Sequence, residues 1–186
     1  YRYDAFGRRY RKQDEETGKT TLFFWQDDRL VTECDEKDAQ FDPRKVNNAY
    51  VKATDFDCTT YLYEPGSFRP LAQFKGRGRN GPEYWYINDH LGTPQELVDG
   101  KGNIVWSGLY RSYGEIAVQG GAVWQPLRFQ GQYADEESGL HYNRYRYYNP
   151  LAGRYISQDP ISIRGGLNTY SYVHDPLGGG GSTGVG

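Results

Sequence analysis

The chain has 186 residues, 22 of them basic and 24 acidic, for a net charge of −2. That is length enough for an ordinary domain core, with no electrostatic bias toward nucleic acid or an anionic membrane. Aromatic residues make up 16% of the chain, Tyr alone filling 18 positions, against a hydrophobic content of 37%. The core must therefore be built largely from rings. A Tyr can bury its ring while its hydroxyl stays paired or wet, which suits a thin wall with one dry and one wet side. No apolar run has the length of a membrane span, and no signal peptide is visible. Met is absent even at residue 1, which reads as a fragment or a trimmed chain.

A repeated unit runs along the chain: aromatic-x-aromatic, often followed by Asp or Asn, then Gly. Tyr1-Arg2-Tyr3-Asp4 precedes Gly7, and Phe23-Phe24-Trp25 precedes Asp27-Asp28. Tyr61-Leu62-Tyr63 precedes Gly66, and Tyr84-Trp85-Tyr86 precedes Asn88-Asp89 and Gly92. Trp106-Ser107-Gly108 fills the next slot, and Tyr145-Arg146-Tyr147 and Tyr170-Ser171-Tyr172 follow at looser spacing, as at the end of a repeat array. Residues i and i+2 of a strand share a face, so each unit predicts a strand with one aromatic face. The Asp/Asn and Gly then turn the chain back. The clearest hairpin joins Glu96-Leu97-Val98 to Ile104-Val105-Trp106 through Asp99-Gly100-Lys101-Gly102-Asn103. Only Pro43 to Lys52 admits a helical turn.

The units start at 1, 23, 61, 84 and 106, and the one long gap holds Cys34 and Cys58. The stretch from about 33 to 59 therefore reads as an insertion. A disulfide could close it, but spacing does not establish geometry, and two separate thiols is the preferred reading. His90, His141 and His174 lack metal-ligand spacing and read as structural, so neither a metal nor a cofactor is expected. Gly76-Arg77-Gly78-Arg79-Asn80-Gly81 has the glycines of a phosphate loop without its Lys-Ser/Thr or following helix, and reads as a loop.

These residues carry a resemblance to the Rhs/YD-repeat family. The match is densest in Asp89-His90-Leu91-Gly92-Thr93-Pro94, Tyr113-Gly114-Glu115, and Arg128-Phe129-Gln130-Gly131-Gln132-Tyr133. It continues through the run from Gly139 to Pro150 and through Gly153-Arg154-Tyr155-Ile156-Ser157-Gln158-Asp159-Pro160. The resemblance implies an all-β fold in which YD-repeat antiparallel β-hairpins form a curved or spiralling sheet. Residues 1–177 would be the C-terminal end of a shell that encloses or presents a C-terminal toxin. Residues 178–186, six of them Gly, read as a flexible, engineered tail. Family members are made in the bacterial cytoplasm and exported as interbacterial or insecticidal effectors, often by type VI secretion. Partners would be the toxin cargo, a chaperone, a secretion component or a second copy pairing through exposed sheet edges.

The resemblance also implies an aspartyl autoprotease that frees the toxin, in which two close carboxylates share a proton. The first aligns with Asp159, while the second falls at Gly181, which has no carboxylate. Asp175 lies in a superficially similar Asp175-Pro176-Leu177-Gly178, too close to Asp159 in sequence and followed by Gly179 where Leu is expected. No self-cleavage is therefore expected. Arg154 and Arg164 flank Asp159 and could tune its pKa, or form ordinary salt bridges. The alternatives to a shell segment are an autoprotease module and a carbohydrate- or protein-binding YD module. Exposed aromatic rows would favour binding, and buried rows the shell.

Overall fold

The computed structural model describes residues 1–40, 55–77 and 81–157. The stretch read as a helical turn, Pro43 to Lys52, lies outside them. Ten strands follow one another in strict sequence order in one sheet. They are β1 (Arg2–Tyr3), β2 (Arg9–Gln13), β3 (Thr20–Gln26), β4 (Arg29–Asp35), β5 (Cys58–Tyr63), β6 (Pro70–Lys75), β7 (Glu83–Asn88), β8 (Pro94–Asp99), β9 (Ile104–Tyr110) and β10 (Ile116–Gly121). A second sheet holds β11 (Tyr133–Asp135), β12 (Leu140–Asn143), β13 (Arg146–Asn149) and β14 (Arg154–Tyr155), also in order. The strand registers described are antiparallel.

The hairpins close in one recurring way. At Asp4, Asp89 and Asp99 the carboxylate Oδ1 accepts the amides two and four residues on, each at 2.9 Å. The amide of the Gly three residues on donates to the Asp carbonyl, at 3.0, 3.1 and 2.9 Å. This combines an Asx turn with a left-handed glycine, the pattern of a hairpin with a bulge. In the hairpin expected from the sequence, the left-handed residue is Gly102, at φ 83°, with register Leu97↔Trp106 and Val98↔Ile104.

The chain forms two compact units, Tyr1–Leu62 with Ala72–Tyr84, and Tyr63–Leu71 with Trp85 onward. In the first, Phe23, Glu33 and Thr59 lie abreast and buried across β3, β4 and β5. The Tyr61 hydroxyl donates to Glu33 Oε1 at 2.8 Å, and the fully buried Arg9 lies over the Phe23 ring at 4.6 Å. The next row holds Leu22, Cys34 and Cys58. Here the preferred reading of two thiols is corrected. Cys34 and Cys58 face each other on neighbouring strands, with Cα atoms 4.1 Å apart, and are joined as a disulfide. Sequence separation hid a pairing that register supplies. The strands also claim both ends of the expected insertion, leaving 36–57 between them. That stretch opens with a short helix, α1 (Glu36–Ala39), whose first turn is capped where the Asp35 carboxylate accepts the Lys37 amide.

In the second unit, Trp106 packs its ring against Gly108. A Cβ there would stand 2.8 Å from the ring, so Trp-Ser-Gly is a packing motif. The four-stranded sheet has its core at Phe129, Tyr148 and Tyr155. Tyr148 and Tyr155 meet edge to face at 5.5 Å, and the Tyr148 hydroxyl donates to the Tyr113 carbonyl at 2.9 Å.

Three aromatic units follow the predicted alternation, while Tyr1 and Tyr3 of the first unit are both exposed. Phe23, Tyr61 and Tyr86 are buried, while the middle residues Phe24, Leu62 and Trp85 are exposed. Tyr145-Arg146-Tyr147 reverses it: Tyr145 is exposed and Arg146 buried. Arg144 sits at φ 54° just before β13, so that strand starts at Arg146 and its buried face takes Arg146 and Tyr148. The Arg146 guanidinium then lies 3.5 Å from the centre of the Tyr155 ring.

Candidate functional site

The four-stranded sheet and the segment before it hold a concentration of buried polar groups. Gln125, Arg128, Gln132, Asp135, His141, Asn143 and Arg146 are all buried, which demands partners. Arg128 Nη1 donates to the Gln125 and Leu127 carbonyls, both at 2.9 Å. Gln125 closes a tight loop on Leu127, its Nε2 donating to the Leu127 carbonyl at 3.0 Å while its Oε1 accepts the Leu127 amide. Asn143 Nδ2 donates to the Tyr155 hydroxyl at 2.9 Å.

His141 Nδ1 lies 2.8 Å from Gln132 Oε1. An amide oxygen only accepts, so Nδ1 carries the hydrogen and Nε2 the lone pair. Burial, helped by the Arg128 charge, lowers the His141 pKa to about 3, so the ring is neutral at physiological pH. Burial also lowers the pKa of Arg128, opposed by the neighbouring phenols, Tyr110 first. Tyr110 itself is pushed up to about 12 by burial, against the attraction of Arg128. It therefore stays a neutral phenol.

A cavity of about 370 Å³ opens beside this network. Ile116, Ala117 and Gln119 of β10 line it, with Ala134 and Asp135 of β11, His141 of β12, and Glu115, Trp124, Arg128, Glu136, Pro150 and Leu151. Glu115, which pairs with Arg111, Asp135, which is fully buried, and Glu136 bring carboxylates to the lining, and Arg128 brings a guanidinium. A second cavity of about 360 Å³ is lined by Asn149, Ala152, Arg154, Tyr155 and Ile156.

Asp159, Asp175, Gly181, Arg164 and His174 all lie outside the described residues. Arg154 is exposed on β14, and His90 is exposed in the Asp89–Thr93 turn. Among the described residues no three His, Cys, Asp or Glu are grouped to hold a metal, and no helix is long and apolar enough to cross a membrane. The buried network and its cavity were not anticipated as a site. Their one signal in the sequence is the density of amide and charged residues, from Gln125 to Arg146, inside an aromatic stretch that must be buried.

A family model described as RHS protein matches residues 84–120. Toxin protein Tse5 of Pseudomonas aeruginosa is 35% identical over 216 residues, covering 96% of this chain and 15% of Tse5. Double-stranded DNA deaminase toxin A of Burkholderia cenocepacia is 34% identical over 191 residues, covering 96% of this chain and 13% of that protein. This chain therefore spans only a small part of the curated relatives it matches. A Tc holotoxin pore structure from Photorhabdus luminescens shares the fold at a TM-score of 0.71 and 22% identity, over 100% of this chain and 9% of that one. The sequential sheet, the Asp-x-x-Gly hairpins and these matches together place the chain in the RHS family.

Proposed function

We propose that residues 1–177 are a stretch of the wall of a hollow shell that encloses or presents a toxin following it in a longer protein. One observation carries this: ten strands joined in sequence order, with Phe23, Tyr61, Tyr86 and Trp106 of the repeat units buried and Phe24, Leu62 and Trp85 between them exposed. Such a sheet grows by adding hairpins and needs no closed core of its own. The toxin names of relatives far longer than this chain support the same reading. It is tested in a full-length protein carrying this segment, by measuring how fast trypsin cuts the C-terminal cargo. A shell protects the cargo until Trp106→Asp loosens the wall; cutting as fast as in the isolated cargo domain refutes enclosure.

No self-cleavage is part of the same proposal, since Gly181 stands where the second carboxylate is needed. Intact mass of the purified chain should stay constant over days. Appearance of a truncated product that is absent from Asp159→Asn would make Asp159 and Asp175 a working pair and move the autoprotease to first place. A glycan-binding role is disfavoured by the burial of Phe23, Tyr61, Tyr86 and Trp106.

A further inference from the structure

Neighbouring strands of the ten-stranded sheet are joined by short links, with one exception. Only Asp27 and Asp28 separate β3 from β4, and only Gly100 to Asn103 separate β8 from β9. Between β4 and β5 lies the whole of 36–57. A longer link costs more chain entropy to close, so this seam lacks the tight turn that holds the other pairs together.

The Cys34–Cys58 bond stands at that gap. β4 and β5 pair as Thr32↔Thr60, Glu33↔Thr59 and Cys34↔Cys58, so the bond closes the ladder at the end where the chain leaves it. One residue further, the Asp35 amide donates to the Asp57 carbonyl at 3.0 Å. The side-chain contacts near this end lie at the surface. The Thr32 and Thr60 hydroxyls meet at 3.2 Å, and Lys19, just before β3, pairs with Asp57 at 2.8 Å with both side chains about half exposed. Exposed pairs of this kind add little. The buried bond from Tyr61 to Glu33 lies deeper in the ladder. At the exit the covalent bond is the dominant link.

We propose that Cys34–Cys58 is a redox switch on the β4–β5 seam. Oxidised, it holds the two strands as a tight turn does elsewhere in the sheet. Reduced, the seam is the first place at which the sheet opens. Reduction by a dithiol breaks the Sγ–Sγ bond: two electrons and two protons pass from the dithiol, which closes to its own disulfide, and both cysteines become thiols. Oxidised glutathione reverses the step, taking up the two electrons and two protons and leaving as two thiols. A compartment that keeps thiols reduced selects the form that opens, and an oxidising one selects the stapled form. The inference is independent of the shell reading, since it requires only the cysteine pair and its register.

The test takes the full chain oxidised, reduced with dithiothreitol, and reduced then reoxidised with oxidised glutathione. Alkylation under denaturing conditions, followed by intact mass, should count none, two and none of the two cysteines as thiols. Amide hydrogen exchange then compares β4 and β5 with Leu97 and Trp106. The expected result is exchange about tenfold or more faster at 32–34 and 59–61 in the reduced form, unchanged at Leu97 and Trp106, and slowed again on reoxidation. The double variant Cys34→Ala, Cys58→Ala should exchange like the reduced form with or without dithiothreitol, and the reduced wild type makes the same comparison with no substitution. Two alkylated thiols in the oxidised form overturn the bond. Equal exchange in the oxidised and reduced forms overturns the switch, and protection that does not return on reoxidation overturns its reversibility. Acceleration spread evenly to Leu97 and Trp106 overturns its confinement to the seam.

Discussion

The turns of the hairpin array and the four-stranded block use polar residues in opposite ways. In the array, Asp4, Asp89 and Asp99 spend their carboxylates on local amides at the surface, each turn satisfied within five residues of sequence. In the block, Arg128, Gln132, His141 and Arg146 are buried; Arg128 holds two nearby carbonyls, while His141 meets Gln132 and Arg146 meets the Tyr155 ring, each nine residues away. The first kind of polarity sets where the chain turns and can be repeated indefinitely. The second specifies one packing, because a buried polar group that loses its partner costs far more than an exposed one.

The largest break in this comparison should come from Arg128→Ala. It removes the Arg128 donor from the Gln125 carbonyl, leaves the Leu127 carbonyl to the Gln125 side chain alone, and opens a void, at a cost of about 3–4 kcal/mol. Arg111→Ala removes an exposed ion pair with Glu115 and should cost within about 0.5 kcal/mol. Urea denaturation of both variants checks the ratio, and similar losses would mean that the buried network is not a keystone of the block.

Acid should separate the regions next. The folded-state pKa of His141 is depressed to about 3, so between the ordinary value of 6.5 and about 3 the unfolded chain binds a proton that the folded chain refuses. Stability contributed by this site is complete above pH 6.5 and falls on acidification, by at most about 1.4 kcal/mol per pH unit, levelling off below about pH 3. Denaturation midpoints across that range for wild type and His141→Gln should show a shallower slope in the variant. Identical slopes would place the acid sensitivity elsewhere.

Two glycines with the same backbone sharpen the contrast. Gly102 and Gly114 both sit at φ 83° in hairpin turns. A Cβ at Gly102 meets nothing within 4 Å, while one at Gly114 would lie 2.8 Å from the Phe129 ring of the block. Gly102→Ala should cost about 1–2 kcal/mol, the left-handed penalty alone. Gly114→Ala should cost about 1–3 kcal/mol more, because a core ring must move. Melting of the two variants side by side measures the difference.

The same contrast decides what was legible in the sequence. Turn chemistry and two-residue alternation are local, so Asp99 to Asn103, the strands around it and the buried side of Phe23, Tyr61 and Tyr86 could be read directly. Arg146 could not, because one left-handed residue, Arg144, resets the alternation just before the strand. The Cys34–Cys58 bond depended on a register across strands separated by the 36–57 excursion. The cleft beside β10 depended on residues from Glu115 to Leu151 converging, which no spacing rule encodes. His141 was read as structural from its sequence spacing; its buried contact with Gln132, nine residues away, had no local signature.

The smallest effect belongs to a single repeat turn. Asp99 Oδ1 accepts the Lys101 and Asn103 amides, and Oδ2 accepts from Asn103 Nδ2 at 2.9 Å. These bonds, that to the Asn103 side chain first, hold the carboxyl below its ordinary pKa. Asp99→Ala removes all three, but the freed amides are at the surface and water replaces the carboxylate, so the loss should be the smallest of the set. Asp99→Asn keeps an Asx acceptor and should recover most of it. Because the turn is closed independently by the Gly102 amide on the Asp99 carbonyl, hydrogen exchange should quicken at 101–103 in the alanine variant and stay unchanged at Trp106 and Leu97. Faster exchange at Trp106 as well would mean that the turns hold the strands in register, and that the array is less modular than its repetition implies.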